Sequence, residues 1–164
     1  MPGETDYAPP VDEIVTLIPA LRAFARTWRR HPPDVDALVE QTLRHALDNP
    51  EDFDPGVDVR VWLLSIMRRA SSQPYRPGVK ADGDPQHRRQ RTERQRRIAE
   101  AVDALPEPLR EVVILVGVLR LPHGEAAAIC GCSTATLRER LANAERQLME
   151  QSGGEPVGDG GVSG

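Results

Sequence analysis

Aromatic side chains are scarce, two each of Trp, Tyr and Phe in 164 residues, and hydrophobic residues make up only 39% of the chain. That scarcity excludes a large core and favours small helical bundles rich in Leu, Val and Ala, in which each helix buries one apolar stripe. Cysteine is limited to Cys130 and Cys132, too close together to staple a fold. No stretch approaches the roughly 18 apolar residues that a membrane span requires, and no apolar run behind positive charge marks a signal peptide. A reducing cytoplasm is the expected compartment. Lysine is nearly missing: Lys80 is the single example and the other basic residues are arginines, which favour planar, bidentate contacts to phosphate, guanine or carboxylate. The chain also lacks an excess of positive charge, carrying a formal −4. A role on nucleic acid, where cations displace counterions, must therefore rest on how charge is distributed.

What is present is helical periodicity. Ile14, Leu17, Ile18, Leu21, Phe24, Ala25 and Trp28 form one apolar stripe, interrupted by Pro19, which must kink the helix or mark its start. After His31-Pro32-Pro33, Asp34 is placed to cap a second helix with the stripe Val35, Leu38, Val39, Leu43, Ala46 and Leu47, stopped by Asn49-Pro50. Turn chemistry at residues 52–56 leads to Asp58, which caps a third helix from Val59 to about Ala70 that is apolar nearly all round until Arg68 and Arg69. These three helices define a first domain over residues 11–71. Trp28, Trp62 and Phe53 belong to its apolar faces.

Residues 72–92 lose the periodicity and read as a flexible linker. Positive charge collects there and just beyond: Arg76, Lys80, Arg88, Arg89, Arg91, Arg94, Arg96 and Arg97 face only Asp82, Asp84 and Glu93. The charge run reads either as solvated linker or as an arm that touches phosphate. A second, four-helix domain spans residues 93–150, with Ile98, Val102 and Leu105 before Pro106, and Leu109, Val112, Val113 and Val116 after it. The tail, residues 151–164, is expected to be disordered.

The segment Leu121 to Leu148 carries helix-turn-helix grammar. Ala127 is small where two helices meet, Gly131 supplies the positive φ of the turn, Ser133 or Thr134 caps the longer helix, and Leu137 plugs the shared core. If that helix enters a major groove, Thr134, Ala135, Arg138 and Glu139 face base edges, with Thr136 and Arg140 nearer the backbone. Glu139, Glu145 and Glu150 offset Arg138, Arg140 and Arg146, so this domain alone holds DNA weakly.

Taken together, these segments resemble the extracytoplasmic-function RNA polymerase sigma factors, in particular the general-stress-response branch, over residues from about 14 to 149. Asp34 to Leu47, DVDALVEQTLRHAL, is similar to the family's polymerase-docking helix, usually written DADDLVQETLLRAL. FDPGVDVRVWLLSIMRR, Phe53 to Arg69, resembles the segment that melts and reads the −10 promoter element. ALPEPLREVVILVG and AAAICGCSTATLRERL resemble the part that reads the −35 element. The resemblance implies an all-α fold of a sigma region 2-like three-helix bundle and a sigma region 4-like helix-turn-helix, joined by the linker and able to close on each other. It implies core RNA polymerase, promoter DNA and an anti-sigma protein as partners. The implied polymerase contacts are Asp34, Asp36, Leu38, Glu40 and Gln41; the implied DNA contacts add Arg60, Arg68 and Arg69 to the residues of the last helix. No cofactor, metal, membrane or small-molecule substrate is implied.

Three departures from the family pattern reduce positive charge or move it: Glu40-Gln41 in place of Gln-Glu, Ala70-Ser71-Ser72-Gln73-Pro74 in place of an aromatic and basic run, and Arg138-Glu139-Arg140 in place of Lys-Ser-Arg. They leave open a second reading, a sigma mimic that binds an anti-sigma protein without productive promoter binding. An enzyme reading finds no support: Cys130, Cys132 and the four histidines lack the spacing of a zinc site, and no phosphate loop or nucleophile motif is present.

Overall fold

The computed structural model describes residues 8–73 and 92–151. Most of the linker and of the C-terminal tail inferred from sequence lies outside these residues. Within them the chain is built of helices: α1 (Val11–Thr16), α2 (Ile18–Ala25), α3 (Pro32–Asp48), α4 (Val59–Ser71), α5 (Glu93–Asp103), α6 (Glu107–Val112) running on as a π-helix (Val113–Val118), α7 (His123–Cys130) and α8 (Thr134–Gln151). A short 3-10 turn, Pro50–Asp52, follows α3.

The first expected helix is two helices. The chain pivots at Leu17 and restarts with Pro19 in the first turn of α2, where a missing N–H costs nothing. Helix α3 begins two residues before the expected cap. His31 is its N-cap and makes no side-chain cap bond, whereas Asp34 sits in the first turn, where its negative charge favours the helix dipole. At α4 the cap is as expected: the Asp58 carboxylate accepts the Arg60 N–H at 2.8 Å. Helix α5 opens on a reciprocal capping box between Thr92 and Gln95.

Helix α4 is the axis of the molecule. Val59, Val61, Trp62, Leu63, Leu64, Ile66, Met67 and Ala70 are all buried, because α3 covers one side of the helix, α2 another and α7 a third. Phe53 packs against Trp62 with the rings tilted and centroids 5.0 Å apart, and Phe24 meets Trp28 edge-on at 4.8 Å. Phe53 and Trp62 are interior; Trp28 is only half-buried and turns its indole N–H to the Glu107 carboxylate at 3.1 Å.

The N-terminal and C-terminal helices share one continuous core. Phe24, Leu38, Leu64 and Met67 from the first set join Val112, Ile114, Leu115, Ala126, Ile129 and Leu137 from the second. A smaller satellite, Leu105, Leu109 and Ala144, with Val113 and Leu148 against it, ties α5 and α6 to α8. The helix after Pro106 departs from its expected stripe. In the π-helix the Leu119 N–H reaches back five residues to the Ile114 carbonyl at 2.9 Å, which widens the turn and rotates the buried face. Ile114 and Leu115 consequently point inward, while Val113 and Val116 are only half-buried.

Candidate nucleic-acid interface

The turn between α7 and α8 follows from Gly131. With φ 65° and ψ 32° it is left-handed, and the reversal lets the Cys132 N–H bond the Ala127 carbonyl at 3.1 Å and the Gly131 N–H bond the Ala128 carbonyl at 3.3 Å. These are the paired bonds of a Schellman stop. Ser133 then caps α8, its Oγ accepting the Thr136 N–H at 3.1 Å. Ala127 and Leu137 are buried between the two helices. The consequence is an outward face on the first turns of α8, where Thr134, Ala135, Arg138 and Glu139 are exposed. Thr136 and Arg140 are half-buried, and Arg140 lies close enough to Glu111 to act on its charge.

The three arginines singled out on α4 do not share one environment. Arg69 is exposed. Arg60 donates from Nη1 to the Leu119 carbonyl at 3.3 Å, and Arg68 donates from Nε to the Glu111 carboxylate at 2.5 Å. Both partners belong to the C-terminal half of the chain, Glu111 on α6 and Leu119 just after the π-helix. Glu111 is 5% exposed at its side chain against 38% for Arg68, so the acid of this pair is interior and the base lies at the rim. Burial raises the Glu111 carboxyl above its usual 4.5, and the hydrogen bond and charge of Arg68 pull it back only in part.

A second cluster of polar contacts joins the segment after α2 to the region around the start of α6. Arg110 donates to the carbonyls of Thr27 and Leu105, Arg30 donates to the Asp103 carbonyl at 3.2 Å, and Trp28 bonds Glu107. Glu111, Arg110 and Glu107 were not singled out from sequence. A usable signal existed for Glu111: it stands four residues before the fully buried Leu115 and beside Val112, on the apolar side of its helix.

On α3 the outward residues form a charged strip. Asp36 pairs with Arg22 at 3.1 Å, Glu40 pairs with Arg44, and Gln41 donates to the Gln73 side chain at 3.1 Å. Asp34 is half-buried at the start of the helix. Leu38, grouped with these residues on sequence, is 2% exposed and packs in the core, because its position faces α2 and α4 rather than solvent. Beside the strip runs a shallow groove of about 600 Å³ between α2 and α3, walled by Ile18, Val39, Leu43 and Leu47 and rimmed by Arg22, Asp36, Glu40, Arg44 and Asp48.

The buried cysteine is chemically muted. Burial pushes the Cys130 thiol up to about 12, and an unionised thiol is a poor nucleophile and metal ligand. Among the described residues no three His, Cys, Asp or Glu side chains are grouped to hold a metal ion, and no helix is long and apolar enough to cross a membrane.

Comparison with known proteins agrees with this architecture. Residues 95–148 match the family model for sigma-70, region 4, and residues 14–68 match that for the sigma2 domain of PhyR. Two sigma-type domain models thus match one after the other along the chain, in the order of the two helical sets. The ECF RNA polymerase sigma factor EcfG of Rhodopseudomonas palustris (strain TIE-1) is 33% identical over 147 residues, covering 84% of this chain and 81% of the relative. The ECF RNA polymerase sigma factor SigC of Mycobacterium tuberculosis (strain CDC 1551 / Oshkosh) is 28% identical over 151 residues, covering 79% and 82%. Among solved structures, the sigma factor RpoE in complex with the anti-sigma factor NepR from Bartonella quintana superposes with a TM-score of 0.69 at 26% identity, covering 89% of this chain and 98% of that one. CnrH in complex with the cytosolic domain of CnrY gives 0.70 at 25%, covering 89% and 88%. The chain belongs to the extracytoplasmic-function RNA polymerase sigma factors, and its function is that of a sigma factor.

Proposed function

We propose that this sigma factor directs core RNA polymerase to stress-type promoters in the cytoplasm, with catalysis of RNA synthesis left to the core enzyme. The observation that carries the reading is the open face of α8: Thr134, Ala135, Arg138 and Glu139 project from the first turns of a capped second helix of a helix-turn-helix, the end that meets base edges. Thr136 and Arg140 flank them toward the backbone. Arg60, Arg68 and Arg69 on α4 supply the contacts near the start site, and Asp34, Asp36, Glu40 and Gln41 form the polymerase-facing strip. Leu38 supports that strip from within. Residues 11–71 and 93–150 act as the two domains, joined by residues 72–92.

An anti-sigma protein is the further partner. The apolar floor and charged rim of the groove between α2 and α3 suit an amphipathic helix, and two solved sigma factors similar to this chain are seen in complex with anti-sigma proteins. Run-off transcription with the purified protein, core polymerase and fragmented genomic DNA tests the reading. Discrete transcripts that depend on the added protein are expected. Silence, in a preparation that binds an anti-sigma protein tightly, overturns promoter direction and identifies a mimic.

A further inference from the structure

Both cysteines of the chain stand at the turn of the helix-turn-helix, one on each side of Gly131, and the proposed function uses neither. Cys130, at the end of α7, is buried; Cys132 is half-buried and packs against the same core that Cys130 belongs to. Both side chains therefore lie on the inner side of the turn. The conformation of Gly131 sets their spacing. A residue with helical dihedrals of either hand places its neighbours' Cα atoms about 5.4 Å apart, and Gly131, at φ 65° and ψ 32°, is left-handed helical. That separation falls inside the roughly 4.4–6.8 Å that disulfides span. The sulfurs are also close in space: burial raises the Cys130 thiol most, and the nearby charges of Glu111 and of a Cys132 thiolate add to it.

We propose that Cys130 and Cys132 form a reversible redox site: hydrogen peroxide oxidises them to a disulfide across Gly131, and that disulfide undoes the turn that aims α8. Cys132, the half-buried sulfur, is the one the oxidant reaches. Its thiolate attacks one peroxide oxygen, the O–O bond breaks, and the leaving hydroxide takes up a proton to become water, which leaves a sulfenic acid. The Cys130 sulfur then displaces the hydroxyl, which departs with the Cys130 proton as a second water. Two thiols give up two electrons and two protons, and one hydrogen peroxide becomes two waters. Because burial keeps Cys130 protonated, the second step is the slow one, and the pair answers sustained oxidant. The bond acts on the turn because both residues are already engaged when reduced. Cys130 fills a place in the core, and the Cys132 N–H bonds the Ala127 carbonyl. Linking the sulfurs draws Cys130 off the core and strains the bonds to Ala127 and Ala128, so α8 loses its fixed angle to α7. A strained disulfide is readily reduced, which makes the change reversible.

The test uses the full chain, reduced, exposed to hydrogen peroxide and then freed of it. The tryptic fragment of residues 121–138, which carries both cysteines, should be lighter by about 2 Da, the two thiol hydrogens, and should regain them with dithiothreitol. In the oxidised chain the Gly131 and Cys132 amides should exchange with deuterium about tenfold faster, since their bonds are weakened. Run-off transcription should fall about tenfold, within the ordinary range of coupling between sites, and recover with the reductant. A Cys132→Ser chain treated in the same way should keep its yield. The transcriptional effect rests on the proposed function, whereas the mass and exchange changes do not, so a reduced preparation without transcripts counts against that function alone. A covalent dimer, or a gain of about 16 Da on the fragment in place of the loss, overturns the site. A disulfide that leaves exchange and transcription unchanged overturns its action on the turn. An equal loss of transcription in the Cys132→Ser chain overturns the proposal too and points to oxidation of the exposed Met149.

Discussion

Burying the Glu111 carboxylate strips it of water, and one guanidinium at the rim restores only part of what is lost. Its carboxyl is therefore raised, and the pH consequence has a definite sign. Because the folded value lies above the unfolded one, the group's contribution to stability is full below about 4.5 and is lost as pH rises through the folded value. A Glu111→Gln chain carries no such dependence. Its stability relative to the unaltered protein should accordingly improve between pH 4.5 and pH 7, measured by urea unfolding across that range; a difference that stays flat with pH would contradict the burial of this charge. Cys130 is the opposite case at the same scale. Its thiol is raised too, but to about 12, so it stays protonated at neutral pH.

At the scale of the helix, the proposed function rests most on α8. Arg138 is exposed on its outward face, whereas Leu137 and Ala144 hold the opposite side. Arg138→Ala should weaken discrimination at one upstream base pair by about 1–3 kcal/mol and leave folding intact, read by comparing binding to promoter variants changed at single positions. Uniform binding loss at every position would make Arg138 a backbone contact instead. Elements of this kind were legible in sequence because local rules decide them: Gly131, Ser133 and Asp58 each do what their chemistry and position demand. Two features were not. At Leu17 the sequence allows either a kink or a fresh start, since Pro19 suits both, and only the backbone shows the second. The π-helix had no local mark at all; its wide turn is read from backbone bonds such as Leu119 to Ile114. Leu38 was assigned to the surface strip through family resemblance, although its place in the apolar stripe already put it inside.

For the molecule as a whole, pairings distant in sequence decide what single segments do not reveal. Nothing in residues 93–118 read alone points to Arg68, Thr27 or Arg30, and yet Glu111, Arg110 and the Asp103 carbonyl bond them. Two domains on a linker are the natural reading of the sequence; one shared core is what the closed structure contains. That core predicts a single cooperative heat-absorption peak whose calorimetric and van 't Hoff enthalpies agree. Two resolved peaks in scanning calorimetry would mean that the halves melt independently. The same core places an unusual demand on α7, the eight-residue helix His123–Cys130, which is packed against α8 on one side and α4 on the other. Ala126 and Ala127 are small because two neighbours approach at once. Enlarging either would push apart the helix-turn-helix and the seam over α4 together, so neither contact can be adjusted through this helix without disturbing the other.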